Sequence, residues 1–458
     1  MEETNIELFE KTKISKAVWT LALPTMLAMI VTIIYNLADT FFIGQTADSN
    51  QVAAITLAMP VFMVMMSFGT LFGTGSSSTI SRNLGEKKNS RVKQVSSFGF
   101  YGAIITGIIV GAILLIFVGP LTNALGASED TYYFVVDYIS YLALGAPFII
   151  VSNAFGNIVR SDGNAKAALM GMLIGTLTNI ILDPIMILGL NMGVSGAAIA
   201  TVIGNIAATI YYIIYLNSKR TILSIKFSDF KVKEKIAKDV FSIGIPSSIN
   251  TLLMSFSIMV LNFFLASYGD ITVAAMGVAT KGNQIPAMLF GGFTMGVQPL
   301  LAYAYGAKDT KRLKGIVKYT LTICIILGLS IALTIISIAP TFVKAFINDP
   351  EIIVLGTVMV RALMSTVVLL GIYFFSTIVN QAMNKPLSAL ILTISRQGLV
   401  FIPSLFIGNY LFGLTGLIWA QPIADIVSVI IAVFMLVKNL KAMESEYGVN
   451  KNIQLIRA

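Results

Sequence analysis

The feature that most limits what this chain can become is its series of long apolar runs. A helix needs about 20 mostly apolar residues to cross the roughly 30 Å hydrocarbon layer of a bilayer. Twelve segments meet that length: 17–44, 52–80, 95–119, 131–158, 167–190, 193–216, 240–267, 272–303, 316–342, 352–380, 386–408 and 411–437. Of 458 residues, 56% are hydrophobic and only 12% charged, against about 25% charged in a soluble domain. A water-soluble fold is thereby excluded, because it would dilute its core with a polar surface. The expected fold is an all-α polytopic membrane protein with 12 transmembrane helices.

Histidine is absent and Cys324 is the single cysteine. A His-based triad, a zinc knuckle and an internal disulfide fall away with them. No remaining side chain has an unperturbed pKa near neutrality, so proton chemistry must rest on carboxylates, Tyr, Lys or water. No enzyme chemistry and no cofactor are expected.

The formal charge of +9 is explained by where the bases lie. Of 31 Lys and Arg, 27 fall on alternate loops and at the termini, while the intervening loops hold only Lys344. This positive-inside pattern puts both termini in the cytoplasm of a plasma-membrane protein. It also removes the case for nucleic acid, which would need a basic module interleaved with aromatics.

The chain resembles itself at a lag of about 221: Pro24 maps to Pro246, Gly75 to Gly296, Gly85 to Gly306, Pro120 to Pro340, and Gly193 with Gly196 to Gly413 with Gly416. Two parallel six-helix repeats follow, forming two lobes around a central cavity, a plan shared by many transporters. The expected divisions are an amino-terminal lobe over 1–218, a linker over 219–239, a carboxy-terminal lobe over 240–440 and a tail over 441–458. Pro24 lies inside span one, where its ring removes a helical donor, and is a candidate hinge.

An ionisable group inside a membrane costs roughly 2.5–3.5 kcal/mol even on the mildest scale, so each one needs a reason. The spans of the first half carry only acids, including Asp39 and Asp183; Lys281, Arg361 and Arg396 all fall in the second, with Asp425. At about 1.5 Å per helical residue, Asp39, Asp183, Tyr138 and Thr201 all sit roughly 8–12 Å below the outer surface. Asn179 lies one turn from Asp183 on the same face, and Tyr35 one turn from Asp39. Two carboxylates at one depth among neutral oxygens and amides can share a proton or hold a small cation. The competing reading is that each merely bonds polar groups on neighbouring helices. Asp425 pairs with one of Lys281, Arg361 or Arg396, or joins a polar patch that gates the second half. Candidate cavity residues are Tyr35, Met59, Met63, Met66, Asn153, Asn157, Lys281, Arg361, Arg396 and Asp425. Gly107/Gly111 and Gly171/Gly175 read as close helix contacts.

Taken in order, Leu23-Pro24 then Asp39, Arg82-Asn83-Leu84-Gly85, Leu182-Asp183-Pro184, Gly193-Val194-Ser195-Gly196-Ala197-Ala198 and Gln421-Pro422-Ile423-Ala424-Asp425 resemble the multidrug and toxic compound extrusion (MATE) family, most closely its bacterial MepA/DinF-like branches. The resemblance implies V-shaped lobes and export of amphipathic, cationic compounds in exchange for H+ or Na+. It also implies an amino-lobe cation site, here Asp39, Asn179, Asp183, Tyr138 and Thr201. The carboxy-lobe sodium site of other members is not expected, because spans seven and eight hold no acid and span ten offers Arg361. Such a protein would act as a monomer on small molecules within the lipid bilayer. The alternatives are a flippase for lipid-linked sugars, which would show Lys281, Arg361 and Arg396 to a pyrophosphate, a channel, and an intramembrane aspartyl enzyme using Asp39 and Asp183.

Overall fold

Inside lipid every backbone N–H and C=O must be satisfied within its own segment, so apolar runs of this length become helices. The computed structural model describes the backbone of residues 2–44, 49–218, 221–232 and 234–457; the side chains of 2–5, 33–41, 43–44, 49, 234, 270 and 446–457 lie outside the described set. The first half contains α1 (Glu2–Glu10), α2 (Ile14–Gly44), α3 (Ser49–Gly85), α4 (Asn89–Ile116), α5 (Val118–Ala124), α6 (Glu129–Arg160), α7 (Ala165–Asp183) and α8 (Gly193–Leu216). The second contains α9 (Glu234–Ala266), α10 (Asp270–Gly306), α11 (Thr310–Phe346), α12 (Pro350–Met364), α13 (Val367–Ala382), α14 (Pro386–Ile394), α15 (Ile402–Phe412) and α16 (Leu414–Arg457). A π-helical turn follows α7 at Pro184–Gly189 and another joins α14 to α15 at Ser395–Phe401.

Among the described residues eleven helices are long and apolar enough to span a bilayer, and twelve spans result when α12 and α13, bent by 42° at their junction, count as one. The break falls inside the expected span 352–380, where the sequence has no proline. At the break the Ser365 hydroxyl bonds the Ala362 carbonyl at 2.6 Å, and the Thr366 hydroxyl reaches the Leu363 carbonyl at 3.5 Å and Asp425 Oδ2 at 2.9 Å. Two other boundaries differ from the sequence reading. Helix α9 begins at Glu234, inside the expected linker, and α16 continues through the expected tail to Arg457.

Small residues set the packing within the first half. A Cβ on Gly107 would overlap Pro147, and one on Gly111 the Ala143 carbonyl, so α4 lies directly on α6. Gly171 faces the Tyr212 ring and Gly175 the Gly204 carbonyl, which seats α7 on α8. The same device joins the halves. Gly75 faces the Val240 carbonyl and Gly244 the Leu71 carbonyl (α3 on α9), while Gly292 faces Met26 and Gly296 faces Ala22 (α10 on α2). Gly85 and Gly306 meet each other's helix ends, and Ser78 donates to the Gln381 carbonyl at 2.8 Å. All these contacts lie toward the ends of the helices that border the termini and the basic loops, so the halves close on that side.

Candidate functional site

Asp183 is the last residue of α7, and Pro184 opens the π turn beyond it. Proline cannot donate a backbone N–H, and a π turn widens the helix locally. Asp183 is fully buried, with Asn179 3% exposed and Thr201 4%. The Asn179 amide bridges the other two: its nitrogen lies 3.3 Å from Asp183 Oδ1 and 3.3 Å from Thr201 Oγ1. Turned over, the amide donates to Asp183 Oδ2 at 3.1 Å and accepts from the Thr201 backbone N–H at 3.0 Å. Either way one amide ties the buried carboxylate to Thr201. Tyr138 is 6% exposed on α6, which packs against both α7 and α8, and none of Asp183, Thr201 and Tyr138 is without a partner. Asp39 and Tyr35 lie on α2, outside the residues whose side chains are described.

The set extends through two residues that the sequence reading passed over. Asn205 donates to the Thr201 carbonyl at 2.8 Å, and Ser152 donates to Asn205 Oδ1 at 2.5 Å. Neutral polar residues are common in spans, and only their contacts mark these two. Nearer the basic loops, Asn153 Nδ2 reaches the Met66 sulfur at 3.5 Å, Asn157 Nδ2 reaches the Asn153 carbonyl at 3.2 Å, and Arg160 Nη1 reaches Asn157 Oδ1 at 3.4 Å. Gly69 and Gly73 give these two asparagines room, because a Cβ at either would collide with them. Met66, Asn153 and Asn157 are thus neighbours; Met63 is half-buried and Met59 exposed.

In the second half Arg396 settles the partner of Asp425. Its Nε lies 2.8 Å from Asp425 Oδ1, while Thr366 Oγ1 donates to Oδ2 at 2.9 Å and Gln421 Nε2 to Oδ1 at 2.9 Å. The guanidinium also lies 5.4 Å from the centre of the Tyr373 ring. Both Arg396 and Gln397 of the π turn are buried, at 7% and 6% exposed. Lys281 sits elsewhere, 5.6 Å from the centre of the Phe346 ring on α11, and Arg361 is exposed on α12. The carboxylate of the second half is therefore already neutralised, whereas Asp183 is bonded to a neutral amide.

A buried carboxyl lies outside the spans. Asp162, in the loop between α6 and α7, is 4% exposed and accepts from Thr221 Oγ1 at 2.5 Å and from the Asn164 N–H at 3.3 Å. Burial pushes its carboxyl up to about 7, although both hydrogen bonds pull the other way.

The MatE family model matches residues 24–185 and again 246–407, one match in each half. The multidrug export protein MepA of Staphylococcus haemolyticus is 36% identical over 436 residues, covering 95% of this chain and 96% of its own. A solved structure described as the outward-facing conformation of a multidrug resistance MATE family transporter of the MOP superfamily superimposes with a TM-score of 0.91 at 26% identity, covering 96% of this chain and 99% of that one. A MATE structure in a bent conformation gives a TM-score of 0.91 at 26% identity over 97% of this chain and 99% of that one.

Proposed function

The chain belongs to the MatE family of membrane transporters, and from that membership we propose that it exports amphipathic, cationic compounds by antiport with H+ or Na+. It is a multi-pass multidrug efflux transporter and not an enzyme. In our reading the coupling ion binds at Asp39 and Asp183, with Asn179, Thr201 and Tyr138 around them. The observation that carries this is the buried Asp183–Asn179–Thr201 set. A buried carboxylate held by a neutral amide favours a proton or a small cation as its counter-charge. The ion drives transport only if it prefers one conformation over the other.

With the termini in the cytoplasm, the side on which the halves close is the inner one, and the molecule faces outward. The substrate leaves from the cavity between the lobes, lined by Met66, Asn153 and Asn157, while α2 bends at Pro24. Flexible thioethers and amides suit a site that accepts many shapes. Pairing of Arg396 with Asp425 counts against a flippase, since it removes a base that a pyrophosphate would need. The test is drug accumulation in cells expressing Asp183→Asn or Asn179→Ala at normal surface levels. The expected result is a loss of export of at least tenfold for Asp183→Asn; unimpaired export in both variants would remove the site.

A further inference from the structure

Two segments of the chain that lie outside the spans make the same kind of contact in opposite halves. The first is α1 and the turn after it. Phe9 is 1% exposed and stacks on Tyr303 of α10, with ring centres 4.8 Å apart and planes within 10°. Tyr303 donates its hydroxyl hydrogen to Glu10 Oε1 at 2.8 Å. Arg312 of α11 donates to the Leu8 carbonyl at 3.3 Å and the Thr12 carbonyl at 2.8 Å. A segment continuous with the first half is thus gripped by the second.

The other is the stretch that leads into α9. Ser97 of α4 donates to the Lys226 carbonyl at 2.9 Å, and Tyr101 to the Ile225 carbonyl at 3.0 Å. Phe230 stacks on Phe98, with centres 6.4 Å apart and planes within 12°, and packs at 5.3 Å against Tyr101. Arg91 then pairs with Asp239 of α9 at 2.7 Å. Here a segment continuous with the second half is gripped by the first.

The two arrangements are related by the internal repeat. At a lag of 221, Phe9 maps to Phe230 and Arg91 maps to Arg312. In each case a segment preceding the first long helix of its half places a phenylalanine on the opposite half, on Tyr303 of α10 in one and on Phe98 of α4 in the other. The third long helix adds an arginine: Arg312 holds carbonyls of the first segment itself, while Arg91 holds Asp239 at the start of α9. Both lie on the side where the glycine contacts join α3 to α9 and α2 to α10.

We propose that these segments are reciprocal clasps that hold the halves together on the terminus-bearing side, and that inward opening requires both to let go. Each spans the seam, so the halves cannot separate there while Phe9 stays on Tyr303 and Phe230 on Phe98. This rests on the antiport proposed above, in which an outward-facing molecule must open inward to complete its cycle (alternating access), but not on the identity of the coupling ion.

The test uses a reporter at the seam. Ser78 is fully buried and bonded across it to Gln381, and Cys324, the one native cysteine, is buried in α11. In a Cys324→Ala background, Ser78→Cys should react with a water-soluble maleimide only when that side opens. Phe9→Ala and Phe230→Ala should each speed labelling roughly tenfold, since a buried phenyl ring is worth about one power of ten or more in an equilibrium. Tyr303→Phe, which keeps the ring and loses only the bond to Glu10, should speed it by a smaller factor. As an independent variant, Phe9→Cys with Tyr303→Cys, bridged by a short reductant-cleavable cross-linker, should stop transport and recover it on reduction. Unchanged labelling in both alanine variants, or full transport with the bridge in place, would overturn the proposal. Labelling that responds to the clasps but never to substrate would instead count against alternating access.

Discussion

At the scale of single residues, lipid burial makes each charge conspicuous in the sequence but does not say what it touches. Asp183, Asn179 and Thr201 were legible together because helical periodicity and depth both follow from position along the chain, and the structure joins them through one amide. Asn205 and Ser152 were not, because neutral polar residues in spans carry no such cost. The partner of Asp425 could not be chosen from three bases, since the helices bearing them are distant in sequence; the structure selects Arg396. Arg396→Leu leaves a buried carboxylate without its counter-ion, which should cost about 3–5 kcal/mol, whereas Arg396→Leu with Asp425→Leu should recover most of that loss. Thermal unfolding in detergent checks it: equal loss in the single and double variants would mean the two residues do not act as a pair. Asp162 gives a pH prediction of definite sign. Its carboxyl is raised to about 7 by burial, so the fold prefers the neutral acid. The stability it contributes is full below the ordinary carboxylate value of about 4 and is lost as pH rises through about 7. The melting temperature should fall between about pH 4 and 7 and level off above, and Asp162→Asn, neutral throughout, should flatten that fall; an identical profile in the variant would contradict it.

At the scale of elements, the apolar runs located the spans, while helices α9 and α16 run past the apolar stretches into the expected linker and tail. The bend between α12 and α13 had no proline to announce it; it lies where Thr366 bonds both the Leu363 carbonyl of the preceding turn and an aspartate on α16, a contact distant in sequence. The π turns were hidden for the same reason, although Pro184 marked the first of them. Pro24 was visible, and α2 is continuous through it. If that proline is the hinge, Pro24→Ala should leave the fold and melting temperature intact, or raise the latter, while slowing efflux at least fivefold. Purified variant protein assayed for both would show it; full-rate efflux would assign Pro24 to packing alone.

At the scale of the whole molecule, the repeat at a lag of about 221 gave two halves and their common direction. It could not say that they meet through glycines at the terminus-bearing ends, because a glycine reads the same whether it faces its own half or the other. Here Gly107 and Gly111 pack within a half, while Gly75, Gly85, Gly296 and Gly306 pack between halves. The halves differ in their buried carboxylates: Asp183 of the first is bonded to an amide, and Asp425 of the second is paired with an arginine, the contrast on which the proposed coupling rests. Coupling should therefore reside in the first half alone. The direct measurement is efflux of a fluorescent lipophilic cation from proteoliposomes under separately imposed proton and sodium gradients. The account predicts that one inward gradient drives the unmodified protein, that Asp183→Asn loses that drive, and that Asp425→Asn in a stably folded Arg396→Gln background keeps it. Full gradient-driven efflux by both Asp39→Asn and Asp183→Asn would contradict it.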